Sequence, residues 1–231
     1  MRDHAIRKSS CPDCVRARAK PYPFSRERAF SLQAEELRNM STLSAYNNKV
    51  LLLIGSTRLI TEAVVRHFLE QGVGQVRAYS GDEEGLTALR DGLQADDAAA
   101  AARLRYYVGD VNDPAYLAEA MDGVDFVLYA PTIKSERECD EDPAEACTAL
   151  LEPVNVVMDT ATQQKVQNLV VVGQDYSEPL SDTRSLIAAL LEKVVVAQGC
   201  HQNEKDDTSI CYVRPMDGDN SGLVDISFAK E

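Results

Sequence analysis

Short apolar runs alternate with stretches of helical periodicity from Asn48 to about Arg214. The first run, Val50–Ile54, is continuous and has the length of a strand, and the stretch Thr61–Gln71 after it places its apolar residues on one side, as an amphipathic helix does. The same alternation predicts further strands at Gln75–Ser80, Leu104–Val108, Val124–Tyr129, Val166–Val172 and Ile210–Arg214, and helices at Glu83–Leu93, Pro114–Met121, Pro143–Gln164 and Leu186–Gly199.

Continuous runs of Val, Leu and Ile are typical of strands in a parallel sheet that is covered on both faces. Amphipathic helices follow these strands, and right-handed crossovers then give a doubly wound sheet. We therefore predict an α/β fold with a doubly wound parallel sheet of the Rossmann type. Asp113 and Pro114 supply the N-cap and first-turn proline of one helix, Pro153 predicts a kink in the longest one, and the Asp- and Ala-rich stretch 96–102 is a loop or a helix extension.

The amino-terminal part of the chain lacks this alternation. Residues 1–49 carry ten Lys and Arg and five Asp and Glu, a net charge of +5, which leaves −18 for residues 50–231 because the whole chain carries −13. We predict an irregular basic extension over residues 1–47, a Rossmann-like domain over 48–215 with no substrate domain after it, and a tail over 216–231. The segment Tyr22–Phe24 makes the arm a candidate for docking protein partners in a larger complex. An organelle-targeting peptide or a disordered tail without a role are the alternatives.

Composition excludes several classes of partner. The sequence pI of about 4.7 disfavours nucleic acid, because an acidic surface repels phosphate. No apolar run approaches the roughly 20 residues that span a bilayer, so we expect no transmembrane segment. Six scattered cysteines without a signal peptide before them favour a reducing compartment. We expect a soluble protein of the cytoplasm or of an organelle stroma or matrix.

Two cysteines in the arm, Cys11 and Cys14, form a Cys-x-x-Cys pair. A tetrahedral zinc site needs four ligands, and His4 is the only further ligand near them in the sequence. The pair is therefore either half of a metal site that the fold or a partner completes, a redox dithiol, or two plain thiols. We expect zinc only if further ligands reach it.

Five segments carry a resemblance to a known group of enzymes: Asn48–Gly55, Val76–Glu83, Gly109–Asp113, Gly123–Ala130 and Lys134–Ala146. Through them the chain resembles the extended short-chain dehydrogenase/reductase superfamily over residues 48–214. The likeness is to the nucleotide-sugar 4,6-dehydratases and related polysaccharide-biosynthesis proteins. It implies an NAD(P)-binding Rossmann domain.

The resemblance also implies a Gly-x-x-Gly-x-x-Gly loop after the first strand, and only Gly55 of that pattern is present. Arg58 stands where bare backbone approaches the pyrophosphate, and Thr61 stands where the third glycine lets the helix pack closely. On this ground we expect no cofactor, with NAD(P) as the alternative. Gly81 at the place of a frequent arginine makes a preference for NADP doubtful. The candidate contacts with a dinucleotide are Gly55, Thr57, Arg58, Asp82 and Asp110.

The implied catalytic group is a Ser or Thr after the fifth strand and a Tyr-x-x-x-Lys pair on the next helix. A gap-free alignment puts Gly173 and Gln174 at the Ser/Thr places, Arg184 at the tyrosine and Ala188 at the lysine. Arginine stays protonated near neutral pH and alanine has no acid–base chemistry. The Tyr-x-x-x-Lys pair is therefore replaced.

Asp175 and Tyr176 remain as weak catalytic candidates for a relocated site. Tyr176 has no Lys or Arg beside it in sequence to lower a phenol pKa of about ten. We therefore predict a catalytically inactive structural or accessory subunit of a larger assembly. The alternatives are an NAD(P)-binding module or redox sensor, and an active oxidoreductase or nucleotide-sugar dehydratase with a rebuilt site.

Overall fold

The computed structural model describes residues 46–55, 62–174, 180, 182–202 and 208–213. The described strands are β1 (Val50–Gly55), β2 (Gln75–Ser80), β3 (Leu104–Val108), β4 (Phe126–Ala130), β5 (Asn168–Val172) and β6 (Ser209–Val213). The described helices are α1 (Glu62–Glu70), α2 (Glu83–Asp96), α3 (Ala98–Ala101), α4 (Pro114–Met121), α5 (Glu136–Glu141), α6 (Pro143–Gln163) and α7 (Thr183–Gln202).

The six strands form one sheet in the order β3-β2-β1-β4-β5-β6, and every neighbouring pair is parallel. The chain builds outward from β1 to β3 and then returns to place β4 on the other side of β1. The strand order therefore reverses between β1 and β4, where Gly55 lies beside Ala130 in register. This confirms the predicted doubly wound Rossmann-type sheet.

Both faces of the sheet are buried, because successive residues of a strand point to opposite faces and the strands are apolar at nearly every position. Leu52 and Ile54 of β1 belong to the cluster formed with α4, α6 and α7. Leu51 and Leu53 belong to the cluster on the opposite face, formed with α1 and α2. Full burial of one such side chain contributes about 1.5–3 kcal/mol.

One row of residues crosses all six strands just before their carboxyl ends, and we call it the tyrosine row. Its members share one face of the sheet and lie side by side in register: Tyr107, Tyr79, Ile54, Tyr129, Val171 and Tyr212. The middle four are buried, and the two outer tyrosines pack against them. The row therefore forms the floor beneath the carboxyl edge of the sheet on the side of α4, α6 and α7.

The sequence pattern missed one helix, α5. Ser135 caps it by accepting a hydrogen bond from the Glu138 backbone N–H, while the Glu138 carboxylate accepts one from the Ser135 N–H at 3.0 Å. This capping box, Ser-x-x-Glu, is a local signal that hydrophobic periodicity does not contain. The stretch 96–102 holds a separate short helix, whose N-cap Asp97 accepts from the N–H groups of Ala99 and Ala100.

Several predictions fall outside the described residues or cannot be tested there. The basic arm, apart from its last two residues, and the tail 216–231 lie outside, so the domain bounds remain predictions. Within the described part of the chain, none of the helices combines the length and apolar character that crossing a membrane needs. Helix α6 continues through Pro153.

Candidate functional site

A cleft of about 310 Å³ opens at the carboxyl edge of the sheet, over the point where the strand order reverses. Ligands of open α/β sheets bind in this crevice, because the crossovers leave on opposite faces there and the helices part. Four groups of residues line the cleft: the ends of β1 and β2 (Gly55, Ser80, Gly81), the turn Asp110–Asn112, the end of β4 (Tyr129–Thr132), and Ala149, Leu150 and Pro153 of α6.

Gly55 makes the close approach between β1 and β4 that shapes the cleft. Its φ is +149°, a conformation that side chains rarely adopt, and a Cβ there would lie 2.7 Å from the Ala130 carbonyl oxygen. Only glycine satisfies both conditions. Gly55 therefore lines the cleft as bare backbone, although its contact with a dinucleotide stays a prediction.

Asp110 forms the wall of the cleft after β3. Its Oδ1 accepts hydrogen bonds from the backbone N–H of Asn112 at 2.9 Å and from the Asn112 side chain at 3.2 Å. Its carbonyl oxygen accepts from the hydroxyl of Tyr79 at 2.8 Å. Short polar residues stabilise turns in this way. Hydrogen bonds within the turn and one from Tyr79 of the tyrosine row therefore fix its position.

Asp82 lies just beyond the cleft, next to Ser80 and Gly81. Its Oδ1 accepts from the N–H of Gly85 at 2.9 Å and caps α2, while its own N–H donates to Ser80 Oγ at 3.2 Å. Glu83 and Glu84 follow in the first turn of the helix. The carboxylates of these three residues make this rim of the cleft negative, so it would repel a phosphate group.

Tyr129 lies at the floor of the cleft, and the sequence patterns did not single it out. It is 3% exposed and lines the cleft, and burial raises the pKa of its hydroxyl well above the ordinary value. Among the residues that the structure describes, none forms a hydrogen bond with this hydroxyl. The available signal was its position, a hydroxyl next to the last residue of an otherwise apolar strand beside the switch point.

The region after β5 is built differently from the cleft. At Gly173, one of the places of the expected Ser or Thr, any side chain would collide with the ring of the half-buried Tyr212 and with its hydroxyl, whose oxygen is buried. Ala188, at the place of the expected lysine, is 2% exposed and belongs to the core. Neither position therefore has room for the larger side chain that the resemblance implies there.

Arg184, at the place of the expected tyrosine, acts as a link between two loops. Its Nε donates to the Lys134 carbonyl at 3.3 Å, and its guanidinium donates to the side chain of Gln174. The Cys139 thiol donates to the same carbonyl at 3.6 Å, and burial raises the pKa of that thiol. The loop after β4 is thus tied to the turn after β5.

The remaining sequence candidates lie outside the described residues: Thr57, Arg58, Asp175, Tyr176, Cys11 and Cys14. Within the described ranges no group of three or more His, Cys, Asp or Glu side chains is placed to hold a metal ion. The zinc hypothesis gains no support from this part of the chain.

Comparisons with known proteins assign the chain to a family. A family model described as "Polysaccharide biosynthesis protein" matches residues 51–215. The UDP-glucose 4-epimerase of Rickettsia bellii is 29% identical over 171 residues, which make up 72% of this chain and 48% of that protein. The chain thus spans about half the length of the curated relatives it matches.

Solved structures agree with this at the level of the fold. Pen from Bacillus thuringiensis is 21% identical, with a TM-score of 0.63, over 74% of this chain and 50% of that one. DesIV, a dTDP-glucose 4,6-dehydratase from Streptomyces venezuelae solved with NAD bound, is 21% identical, with a TM-score of 0.52, over 71% of this chain and 55% of that one.

These relatives overturn the prediction of a catalytically inactive structural or accessory subunit, which is wrong. The relatives are named as enzymes, epimerases among them, and they support the alternative of an active nucleotide-sugar enzyme. Besides the altered loop after β1, the prediction weighed substitutions at four catalytic positions, Gly173, Gln174, Arg184 and Ala188. Such substitutions test one arrangement of catalytic groups, whereas the cleft at the switch point depends on other residues. The expectation of no cofactor rested on Arg58 and Thr61, which lie outside the described residues, whereas its alternative, NAD(P), agrees with structural neighbours that were solved with NAD bound.

Proposed function

Because the chain belongs to the polysaccharide biosynthesis protein family, in the nucleotide-sugar epimerase and dehydratase branch of the extended short-chain dehydrogenase/reductase superfamily, we propose that it binds NAD and acts in the redox conversion of nucleotide sugars. The cleft over β1 and β4 is the observation that carries this proposal. It lies where this fold binds dinucleotides. The chain spans about half the length of its relatives, so the conversion of nucleotide sugars is a proposal and not a property carried over from them.

The residues of the cleft fit the base-and-ribose half of NAD. A volume of about 310 Å³ is at the low end of ligand pockets, which suits part of a dinucleotide better than all of it. Gly55 and Gly81 offer bare backbone, and Asp110 and Asn112 offer polar atoms. When bound, NAD supplies a hydride acceptor and donor. The protein's part is to hold it and to exclude competing reactions.

The rim of the cleft favours NAD over NADP. Gly81 has no side chain to pair with a 2′-phosphate, and Asp82, Glu83 and Glu84 place negative charge beside it. These carboxylates would repel a phosphate there, and Gly81 offers it no guanidinium. We therefore propose NAD as the cofactor, with binding of NADP at least about tenfold weaker, which corresponds to about 1.4 kcal/mol.

Acid–base chemistry in this chain would need residues other than those at the positions of the expected Ser or Thr and Tyr-x-x-x-Lys groups. In the sequence, Asp175 and Tyr176 come three and four residues after the end of β5. They are the proposed groups of a rebuilt site. The packing at Gly173 and Ala188 favours a second candidate function, an NAD-binding module or redox sensor that binds without turnover.

Two measurements separate these functions. Calorimetric titration of the whole chain with NAD⁺ and NADP⁺ tests binding, and conversion of UDP-glucose to UDP-galactose in the presence of NAD⁺ tests turnover. Turnover that Tyr176→Phe abolishes supports the rebuilt site, and Arg137→Gln, a change on the exposed face of α5, serves as the control. Binding without turnover favours the sensor. If NAD⁺ neither binds nor raises the melting temperature, both proposals are refuted.

A further inference from the structure

Tyr129 differs from the other central tyrosine of the tyrosine row in its hydrogen bonding. Tyr79 donates its hydroxyl proton to the Asp110 carbonyl at 2.8 Å. The Tyr129 hydroxyl has no hydrogen-bond partner among the described residues, although the residue is 97% buried, with an exposed fraction of 3%. The hydroxyl is not among the fully enclosed side-chain oxygens of the described residues that lack a partner, so it keeps accessible surface where Tyr129 lines the cleft.

The surroundings of Tyr129 show where its hydroxyl can find a partner. Its ring lies on the face of the sheet that α6 covers, in the same cluster as Leu150 of that helix. Tyr129 and Leu150 both line the cleft, together with Asp110 and Asn112. The protein supplies apolar neighbours on the core side, so the polar end of the ring is left to a group that occupies the cleft.

We propose that the hydroxyl of Tyr129 donates a hydrogen bond to the base-and-ribose half of the bound dinucleotide. This inference rests on the proposed function and adds a specificity-determining residue to it. A nucleoside carries several nitrogen and oxygen acceptors, and a phenol offers one O–H donor. Satisfying a buried hydroxyl with ligand makes binding selective, because a ligand that lacks the acceptor leaves the donor unpaired.

The residues that line the cleft with Tyr129 favour the base-and-ribose half of the dinucleotide over the nicotinamide half. Tyr129 lines it with Asp110 and Asn112, which follow β3, and with residues of α6. Gln174 and Arg184, which lie by the expected catalytic positions, are not among its lining residues. The hydroxyl is therefore placed at the end of the site away from the reacting ring.

Calorimetry on the whole chain and two single variants tests the proposal. Tyr129→Phe keeps the ring and removes only the hydroxyl, and Tyr107→Phe removes a hydroxyl from the same row on the edge strand, away from the cleft. The probes are NAD⁺, AMP and nicotinamide mononucleotide. We expect Tyr129→Phe to bind NAD⁺ and AMP about threefold to tenfold more weakly, the loss of one net hydrogen bond. Its melting temperature without ligand should be unchanged.

Each outcome distinguishes this inference from the proposed function. If Tyr129→Phe binds NAD⁺ and AMP as tightly as the unmodified chain, the inference is wrong while NAD binding stands. A loss for nicotinamide mononucleotide, with AMP unaffected, refutes the assignment to the base-and-ribose half. An equal loss in Tyr107→Phe shows that the effect is not local to the cleft and also overturns it. If the unmodified chain binds no NAD⁺, the proposed function and this inference both fall.

Discussion

Two regions lie at the same edge of one sheet and differ in packing: the β1–β4 cleft has free space, whereas side chains fill the region around Gly173, Arg184 and Ala188. The cleft has free volume above the tyrosine row, a glycine that allows the close approach of β4, and a turn held by Asp110. In the other region, Tyr212 fills the space beside Gly173, Ala188 is buried in the core, and Arg184 ties two loops together.

This difference separates two demands that are usually met together. Holding a dinucleotide needs a crevice and bare backbone, which the strand order and a few glycines provide. Moving a proton needs particular side chains at particular atoms. The described cleft has a crevice and the bare backbone of Gly55. For the second demand, Asp175 and Tyr176 are the proposed residues.

The largest expected effect comes from restoring the usual lysine. Ala188→Lys places an ammonium group among the apolar side chains of the core, so we expect the free energy of unfolding to fall by about 3 kcal/mol or more. Ala197→Lys, on the exposed side of the same helix, should change it by less than about 0.5 kcal/mol. Urea unfolding followed by circular dichroism measures both. A small loss at position 188 would mean that this side chain reaches solvent and that the two regions are less different than described.

A smaller effect is expected at the cleft itself. Gly55→Ala meets both an unfavourable φ and the Ala130 carbonyl, so we expect a loss of about 2–3 kcal/mol in the free energy of unfolding. Gly123→Ala is the matched control, since its φ of +67° is also positive but nothing lies within 4 Å of the added Cβ. It should lose about 1 kcal/mol. Equal losses would show that the close approach to Ala130 does not constrain the cleft.

The two central tyrosines of the tyrosine row sharpen the comparison further. Tyr79→Phe removes a hydrogen bond to the Asp110 carbonyl and should cost about 1 kcal/mol of unfolding free energy. Tyr129→Phe removes no described hydrogen bond and should change it by less than about 0.5 kcal/mol without ligand. Thermal unfolding of both variants measures the difference. A clear loss for Tyr129→Phe would reveal a partner within the protein and weaken its assignment to a ligand.

The last prediction concerns alkaline pH. Burial, followed by the charges of Asp113, Tyr116 and Asp110, raises the pKa of Tyr79 to about 12 from 10.0. The folded state therefore keeps the proton while the unfolded state loses it, so this tyrosine lowers stability as pH rises from about 10 to about 12. The advantage of the unmodified chain over Tyr79→Phe should narrow across that window. A constant difference from pH 7 to 12 would contradict the raised pKa.

Much of the fold was predictable because it follows from local pattern. β2, β3 and α4 have the predicted bounds: the run of β2 ends at Ser80, and Asp113 caps the start of α4 as predicted. β4 and β5 begin two residues later than predicted. Just before β4, the carboxylate of Asp125 accepts hydrogen bonds from Lys49 Nζ at 2.8 Å and from the Val50 N–H at 2.9 Å. Apolar periodicity does not register such a contact between distant residues.

The site was only partly predictable. Gly55 and Asp110 follow predicted strands and were candidates on that ground, and both line the cleft. Pro153 reaches the same cleft only because the crossover brings α6 over the end of β4, which a linear pattern does not show. Tyr129 lies at the end of a predicted strand, but apolar periodicity gives its hydroxyl no special weight. The prediction of an inactive subunit failed because absent motifs exclude one catalytic arrangement and carry no information about others.

The most direct test of the central claim is an experimental structure of the whole chain grown with NAD⁺. We predict density for the base and ribose in the β1–β4 cleft, between the turn at Asp110 and helix α6, with an acceptor of the nucleotide within hydrogen-bond distance of the Tyr129 hydroxyl. NAD bound elsewhere on the chain, or a cleft that stays empty at saturating NAD⁺, would contradict the claim.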